Sequence, residues 1–577
     1  MTSLPSTPTG PSPSPSPSTS TANALPHQPN ILLIMADELV AFLTGAYGHG
    51  VVQTPNMDAL VAHGVRFDAA YSPSPLCAPA RACLMSGMHT STNRVYDNAA
   101  LFAADIPTLG HYLTNAGYDC VLSGKMHFVG PDQLHGLRRR LTTDIYAEEF
   151  NMLDNRAPWS VARDPSLFST EAGRGRHANN YVGSNVHVGR WHHHLSYDEE
   201  SHFRALEYLR ARGAVRALAK ATSSTGTPSS PGAGPPGAGP GLGAEERSAE
   251  RTHATGTGGT QPFFLCVSYH HPHEPFWPPK DVWDLYQDAD IAIPEFPPDM
   301  DEKYSPMDRW LNANHGVHKF VAELRSPESL YRVRRAYYAL VTYIDRKVGE
   351  LIATLKEHGL WDNTVIVFTS DHGDMLCEKS MVQKRIFYEW SCRVPLIVRF
   401  PEDRWAGTTV AQPASLIDLL PTFLDLAGVP LEERLPHDGD SLMGLIDGSD
   451  TAPRTVFSEM HVEDNPVLCF MARRGRYKYL YFHGVGAQLF DLEADPGEWN
   501  SLIDDPQHAD AEAALRRAIV ERFPLDAIEA DVRRSIAARR LIRETMRRNG
   551  TLWDYTPEFD SNRDAMQQYL PPATGRP

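Results

Sequence analysis

Asn30-Ile31-Leu32-Leu33-Ile34-Met35-Ala36, followed at once by Asp37-Glu38, is the stretch on which the fold turns. A short unbroken apolar run that ends at acidic residues reads as a strand buried on both faces. The pattern recurs along the chain. Tyr118–Leu122 runs into Ser123-Gly124-Lys125-Met126-His127, Pro262-Phe263-Phe264-Leu265-Cys266-Val267 leads to His271-Pro272-His273, and Thr364–Thr369 leads to Asp371-His372. Between these runs lie helical stretches. Residues 55–63 have Pro55 at the first position and Gly64 just past the end, and residues 107–116 repeat this with Pro107 and Gly117. Ser326-Pro327-Glu328 opens a long helix through Leu355, whose apolar face includes Tyr331, Val333, Tyr337, Tyr338, Val341 and Ile344. Strands alternating with helices predict an α/β fold, a large mixed, mostly parallel sheet sandwiched by helices.

From about Thr455 the pattern changes. Val456–Met460, Val467–Ala472, Tyr477–Phe482 and Gln488–Leu492 read as short strands with close turns, followed by a helix near residues 508–523. The expected division is a Ser/Pro/Thr-rich disordered tail over 1–29, a main domain over 30–454, an α+β subdomain with a small antiparallel sheet over 455–525, and an extended C-terminal tail over 526–577. Residues 221–260, with Ser230-Pro231-Gly232-Ala233-Gly234-Pro235-Pro236-Gly237, read as a flexible low-complexity insertion in the main domain.

Composition narrows the function classes. The chain has 577 residues, 42% hydrophobic and 22% charged, and a net charge of -17 from 54 basic and 71 acidic residues. Such a balance argues against nucleic acid as the main partner and mildly favours cationic ligands. The seven cysteines are odd in number and widely spaced, with no C-x-x-C pair, so no disulfide framework or structural zinc site is expected. Residues 1–29 contain no Lys or Arg and no apolar core, unlike a signal or transit peptide. No apolar run approaches the length of a transmembrane helix, so no membrane association and a cytoplasmic location are expected.

Asp37, the Lys125–His127 run, the His271–His273 run and Asp371-His372 all follow predicted strands. In open α/β sheets, ligands bind beyond the carboxyl ends of the strands, so these residues converge on one edge. Carboxylates there suit a hard divalent cation, and an imidazole can join them. A lone Asp after a strand is ordinarily a turn residue; repetition at several strand ends is what points to a site. A further element is Pro75-Leu76-Cys77-Ala78-Pro79-Ala80-Arg81, continuing as Ala82-Cys83-Leu84-Met85-Ser86-Gly87. Cysteines are ordinarily buried packing. Pro79, however, starts a short helix and places Cys77 at its N-terminus, where unpaired N–H groups and a neighbouring Arg lower a thiol's pKa. A thiolate nucleophile would need no metal ligands beside it.

The C-x-P-x-R pattern, with acidic and His residues at separate strand ends, resembles the sulfatases, and within them the choline sulfatases. The similarity extends through Val95-Tyr96-Asp97-Asn98-Ala99-Ala100, through Ser123-Gly124-Lys125-Met126-His127-Phe128-Val129-Gly130-Pro131-Asp132-Gln133-Leu134-His135-Gly136, and through Arg140-Leu141-Thr142-Thr143-Asp144-Ile145-Tyr146. It covers nearly the whole chain apart from the two low-complexity segments. The resemblance implies that Cys77 is converted to formylglycine by a formylglycine-generating enzyme. The hydrated aldehyde attacks sulfur through one hydroxyl and expels sulfate through the other. It implies Asp37, Glu38, Asp371 and His372 as ligands of one divalent cation, Ca²⁺ with Mg²⁺ or Mn²⁺ as alternatives. Glu38 stands where relatives often carry Gln or Asp. Arg81 would orient the modified residue and the sulfate oxygens. Asn98, Lys125, His127, His273 and Lys384 would hold the sulfate or protonate the leaving oxygen.

For a choline leaving group the resemblance implies carboxylates at Glu389, in Phe387-Tyr388-Glu389, and at Asp554, in Trp553-Asp554-Tyr555-Thr556-Pro557. The tail carrying Asp554 would reach a neighbouring subunit of a homo-oligomer, a dimer or tetramer. The chain departs from the choline pattern at Met152, where relatives carry Trp; Trp159 or Trp191 are alternatives for that ring. His192-His193-His194 has no matching metal context and reads as a loop feature. Three functions are therefore carried forward: a sulfatase acting on choline-O-sulfate or a similar small cationic alkyl sulfate, another alkyl or aryl sulfatase or a phosphonate or phosphate monoester hydrolase of the same superfamily, and a catalytically silent binding protein on this scaffold.

Overall fold

The computed structural model describes residues 28–146, 186–224, 261–315, 326–462 and 465–550. Met152, Trp159, Trp553, Asp554, nearly all of the N-terminal tail and most of the 221–260 insertion lie outside the described residues.

Eight strands form the main sheet, in the order Thr408–Val410, Val65–Phe67, Leu396–Arg399, Thr364–Ser370, Asn30–Asp37, Phe263–Pro272, Asp119–Gly124 and Arg139–Arg140. The strand Asn30–Asp37 is central and pairs parallel with Thr364–Ser370 on one side and Phe263–Pro272 on the other. Only Leu396–Arg399 runs antiparallel to its neighbours. The central strand explains its own sequence. Leu32, Ile34 and Ala36 face one core, with the helix Pro327–Glu357, while Ile31, Leu33 and Met35 face the other, with helices Cys77–Ser86, Leu109–Asn115 and Leu419–Ala427. With a helical layer on each face there is no polar side to alternate with.

The small sheet is antiparallel, in the order Thr455–Met460, Cys469–Arg474, Tyr477–Phe482 and Gly486–Asp491. Alternation along its second strand sorts the residues by partner. Cys469 and Met471 pack toward the main domain with Tyr71, Leu76 and Ile386, whereas Phe470 and Ala472 pack toward Leu515, Ile519, Ile528 and Val532 of helices Ala509–Arg522 and Leu525–Asn549.

Several boundaries differ from the sequence reading. The helix expected from Pro107 begins at Leu109, because Thr108 and His111 form a reciprocal cap. The strand after it runs to Gly124, two residues further than its apolar run. His192–His194 is not a loop feature: the helix His193–Ser224 begins inside it, and its C-terminal end enters the first residues of the low-complexity insertion.

Candidate active site

The carboxyl ends of the three central strands and the N-terminus of the helix Cys77–Ser86 meet at one point. Two glycines allow the close approach. At Gly124, with φ +105°, a Cβ would stand 1.9 Å from the Ser268 carbonyl oxygen, and at Gly373 it would stand 2.1 Å from that of Trp390. These positions tuck Lys125 and His372 against their neighbours. Glu38 and His127 adopt left-handed backbone with φ +66° and +56°, conformations that a non-glycine residue keeps only when its surroundings impose them.

Cys77 Sγ lies 3.2 Å from His372 Nε2 and 3.7 Å from Asp37 Oδ1. The Nδ1 of His372 donates to the Gly373 carbonyl at 2.9 Å and turns Nε2 toward Cys77; burial opposes charge on the ring, but Asp371 and Cys77 outweigh it and raise its pKa above the ordinary value. Candidate ligand atoms of Asp37, Cys77, Asp371 and His372 lie within 4.8 Å of one another, all buried. Arg81 donates through Nε to Asp371 Oδ2 at 2.8 Å and through Nη1 to the Lys125 carbonyl at 2.6 Å and Ser268 Oγ at 2.7 Å. Lys125 Nζ bonds Asp37 Oδ2, and its ammonium lies 4.5 Å from the centre of the Tyr146 ring. Asn98 Oδ1 accepts from the Ala78 amide at 3.0 Å and so ties the first turn of the Cys77 helix.

Glu38 turns to the other flank. Its carboxylate is 3.0 Å from Lys384 Nζ and 3.3 Å from His273 Nε2, and its amide donates to Asp371 Oδ1. Lys384 Nζ is 3.1 Å from His273 Nε2, while His273 Nδ1 is 2.8 Å from the Glu274 carbonyl. Glu38 joins two further groups of candidate ligand atoms, one with Asp37 and His273 and one with Glu274 and Asp374.

Charge decides the protonation states. Burial alone would raise the Cys77 thiol, but Lys125, Lys384 and His372 outweigh it, and the thiol is held well below its ordinary value. Burial pushes the Glu38 carboxyl well up, with Lys384 opposing, and pushes Asp374 up to about 6. Asp371 is held below its ordinary value by Arg81 and His372 against the cost of burial. A tetrahedral anion at Cys77 would therefore meet Arg81, Lys125, His127, His372 and Lys384, with carboxylates behind them to accept a cation.

Glu389 has other partners. Its carboxylate accepts from Tyr71 at 3.0 Å and pairs with Lys478 at 2.9 Å and Arg393 at 3.5 Å. Trp191 is 60% exposed at the start of the helix that carries His194. The imidazoles of His192 and His194 pack on His271 and His270, with ring centres 5.5 and 4.5 Å apart. His271 gives its Nδ1 to Asp198 at 2.6 Å.

Sequence reasoning missed Tyr146, Asp144, Glu274, Asp374 and Asp198. Asp144 accepts from the amides of Met126 and His127, at 2.9 and 2.7 Å, and from Arg140. Its signal was available, since Asp144 and Tyr146 sit in the Thr142–Tyr146 stretch already singled out; no role was attached to them. Asp198 lies in the second turn of its helix, beside Glu199 and Glu200, and carries no such signal.

A family model described as Sulfatase matches residues 29–429. The chain belongs to the sulfatase family. A second model, for the C-terminal part of N-sulphoglucosamine sulphohydrolase, matches residues 377–523. The chain is 36% identical to a choline-sulfatase of Rhizobium meliloti (strain 1021), over 94% of this chain and 96% of that one. It is 26% identical to an arylsulfatase of Clostridium perfringens (strain 13 / Type A), over 86% and 94%. Among solved structures, the phosphonate monoester hydrolase of Silicibacter pomeroyi superposes with a TM-score of 0.61 at 23% identity, covering 86% of this chain and 95% of that one. A 2-O GAG sulfatase superposes with a TM-score of 0.59 at 21% identity, covering 94% and 100%. These two establish the shared fold. As a sulfatase, the protein is a sulfuric ester hydrolase.

Proposed function

We propose that this sulfatase hydrolyses choline-O-sulfate to choline and sulfate, using formylglycine made from Cys77 beside one divalent cation. The observation that carries the chemistry is the position of Cys77 Sγ, at the first residue of a helix, 3.2 Å from His372 Nε2 and surrounded by cations. The substrate rests on the likeness to the Rhizobium enzyme across almost the full length of both chains.

The residues suit a cation. Asp37, Asp371 and His372 turn two carboxylates and the imidazole Nε2 toward Cys77, and Lys125 and Arg81 already compensate Asp37 with positive charge. We assign Asp37, Asp371 and His372 to the cation, Ca²⁺ by the hardness of the oxygen donors. Glu38 faces Lys384 and His273 and takes a flanking place. A divalent cation held there would lower the pKa of a hydroxyl on the hydrated aldehyde and neutralise sulfate charge. The chain's own groups do the rest. Arg81 holds Asp371, the Lys125 carbonyl and Ser268. Lys125 and His127 face the sulfate oxygens. His273, whose Nε2 accepts from the Lys384 ammonium, takes that proton and passes it to the departing alcohol oxygen, leaving Lys384 neutral. Asn98 orients the helix amide. Glu389 and Asp554 are the proposed readers of the substrate's positive charge, Asp554 from a neighbouring subunit. Partners are then the small ester, the maturation enzyme and further copies of this chain.

A substrate panel on calcium-loaded protein tests the reading, with choline sulfate, an aryl sulfate and a phosphonate monoester compared. Highest kcat/KM on choline sulfate is expected; preference for the phosphonate would overturn it. Peptide mass spectrometry should find the aldehyde at position 77, and an active preparation that is wholly thiol would sink the nucleophile assignment. Asp371→Asn should lower both bound metal and rate; one metal per chain at full activity would remove Asp371 from the site.

A further inference from the structure

The C-terminal helix Leu525–Asn549 reaches back to the segment beside the nucleophile. Arg539 donates Nη1 to Asp97 Oδ1 at 2.6 Å and Nη2 to Asp97 Oδ2 at 2.8 Å, a bond pair between residues 442 positions apart in sequence. Both are buried, with Arg539 4% and Asp97 0% exposed. A buried bidentate pair fixes direction as well as distance, because the planar guanidinium fork admits one mutual orientation. Asp97 Oδ1 also accepts the Ala99 amide at 2.9 Å, so the same carboxylate pins the backbone on the far side of residue 98. The residue thus bracketed is Asn98, whose Oδ1 holds the Ala78 amide at 3.0 Å in the first turn after Cys77. The helix has a second hold on this segment, where the Tyr96 hydroxyl donates to Asp531 at 2.6 Å and its ring packs with Val532 and Ile536.

We infer that Arg539 is a positioning residue for the nucleophile, acting through Asp97 and Asn98 on the N-terminal turn of the helix that begins at Cys77. This rests on the reading of Cys77 as the source of the nucleophile. The Asp531–Tyr96 contact anchors the C-terminal helix; the Arg539–Asp97 pair sets where Asn98, and with it Ala78 and Cys77, sits. Displacing a reacting group by about 1 Å lowers rate by roughly 10²-fold without abolishing substrate binding.

The test compares Arg539→Gln, Arg539→Lys and Ile536→Ala in the full chain, by amide hydrogen exchange over residues 77–80, by steady-state kinetics and by Tm. Arg539→Gln is expected to raise exchange at Ala78 selectively and to lower kcat by about 10²-fold with KM within about threefold of wild type. Arg539→Lys keeps the buried charge but loses the fork; it should fold and shift both readouts in the same direction by less, and it stands in if the Gln variant fails to fold. Ile536→Ala loosens the same helix through its apolar face and should lower Tm with kcat and Ala78 exchange as in wild type. If both Arg539 variants lower Tm but leave Ala78 exchange and kcat unchanged, Arg539 only fastens the C-terminal helix and the inference is overturned. Should wild-type protein prove inert toward every sulfate ester while Ala78 exchange still responds to Arg539, the proposed reaction falls and the linkage stands.

Discussion

His273 is tied through Nδ1 to the Glu274 carbonyl, so only Nε2 faces Lys384 and Glu38. A proton donor so placed matters most when the leaving oxygen is basic. His273→Ala is therefore expected to cut kcat on choline sulfate by about 10²–10⁴-fold and to cost much less on an aryl sulfate whose phenol leaves as a stable anion. Equal losses in parallel kinetics on the two esters would mean that His273 holds sulfate and does not protonate the alcohol. Cys77 and Arg81 were legible because helix geometry links them locally. Asp37 and Asp371 were legible because strand ends announce themselves. Asp198 was not, since only the packing of helix His193–Ser224 on strand Phe263–Pro272 brings it to His271.

The turn after strand Asp119–Gly124 and the helix Glu389–Cys392 place the site by backbone contact. Gly124→Ala puts a methyl group into the Ser268 carbonyl, so strand end and Lys125 must move together. Its expected outcome is a lowered Tm with a disproportionate loss of activity per folded molecule, read by calorimetry beside kinetics. The strand Tyr477–Phe482 brings Lys478 to Glu389 and Glu498. Lys478→Met removes the cation shared by the buried carboxylates of Glu389 and Glu498, leaving Arg393 with Glu389, and should cost about 3–5 kcal/mol in chemical denaturation. Glu389 is held at about 2 against an ordinary 4.5, by Lys478 and Arg393 overcoming burial. The folded chain then binds fewer protons than the unfolded chain within that window. Stability from this group is fully present above pH 4.5 and fades as pH falls toward 2. Glu389→Gln should flatten that part of the acid-stability curve; an unchanged slope would detach Glu389 from the network. The same variant tests the choline reading: a raised KM for choline sulfate with the aryl ester spared supports it, and equal losses place Glu389 in the scaffold.

Across the molecule, an apolar cluster joins the small sheet to the main domain and holds Leu76, next to Cys77, together with Met471 and Phe490. Truncation before Thr455 should strip that cover and give insoluble protein, checked by solubility and exclusion chromatography. Truncation before Trp553 spares all the described elements. It is expected to leave the fold intact while raising KM for choline sulfate selectively and weakening oligomers; loss of aryl sulfatase activity to the same degree would remove the tail from charge recognition.

Residue order and apolar patterning already dictated the α/β architecture, the small antiparallel sheet and the convergence of Asp37, Cys77, Asp371 and His372, because unbroken buried strands, helix caps and a helix-borne Cys-x-Pro-x-Arg are properties of short segments. Segment boundaries were less legible where side chains cap, as at Thr108 and His111. Packing settled what no segment carries: that Glu38 faces Lys384 and not Cys77, that Glu389 is bound by Lys478, that Asp144 ties down the Met126 and His127 amides, and that Arg539 reaches Asp97. Those pairings join residues far apart in the chain, and burial, which makes an unpaired charge costly, is what selects each partner.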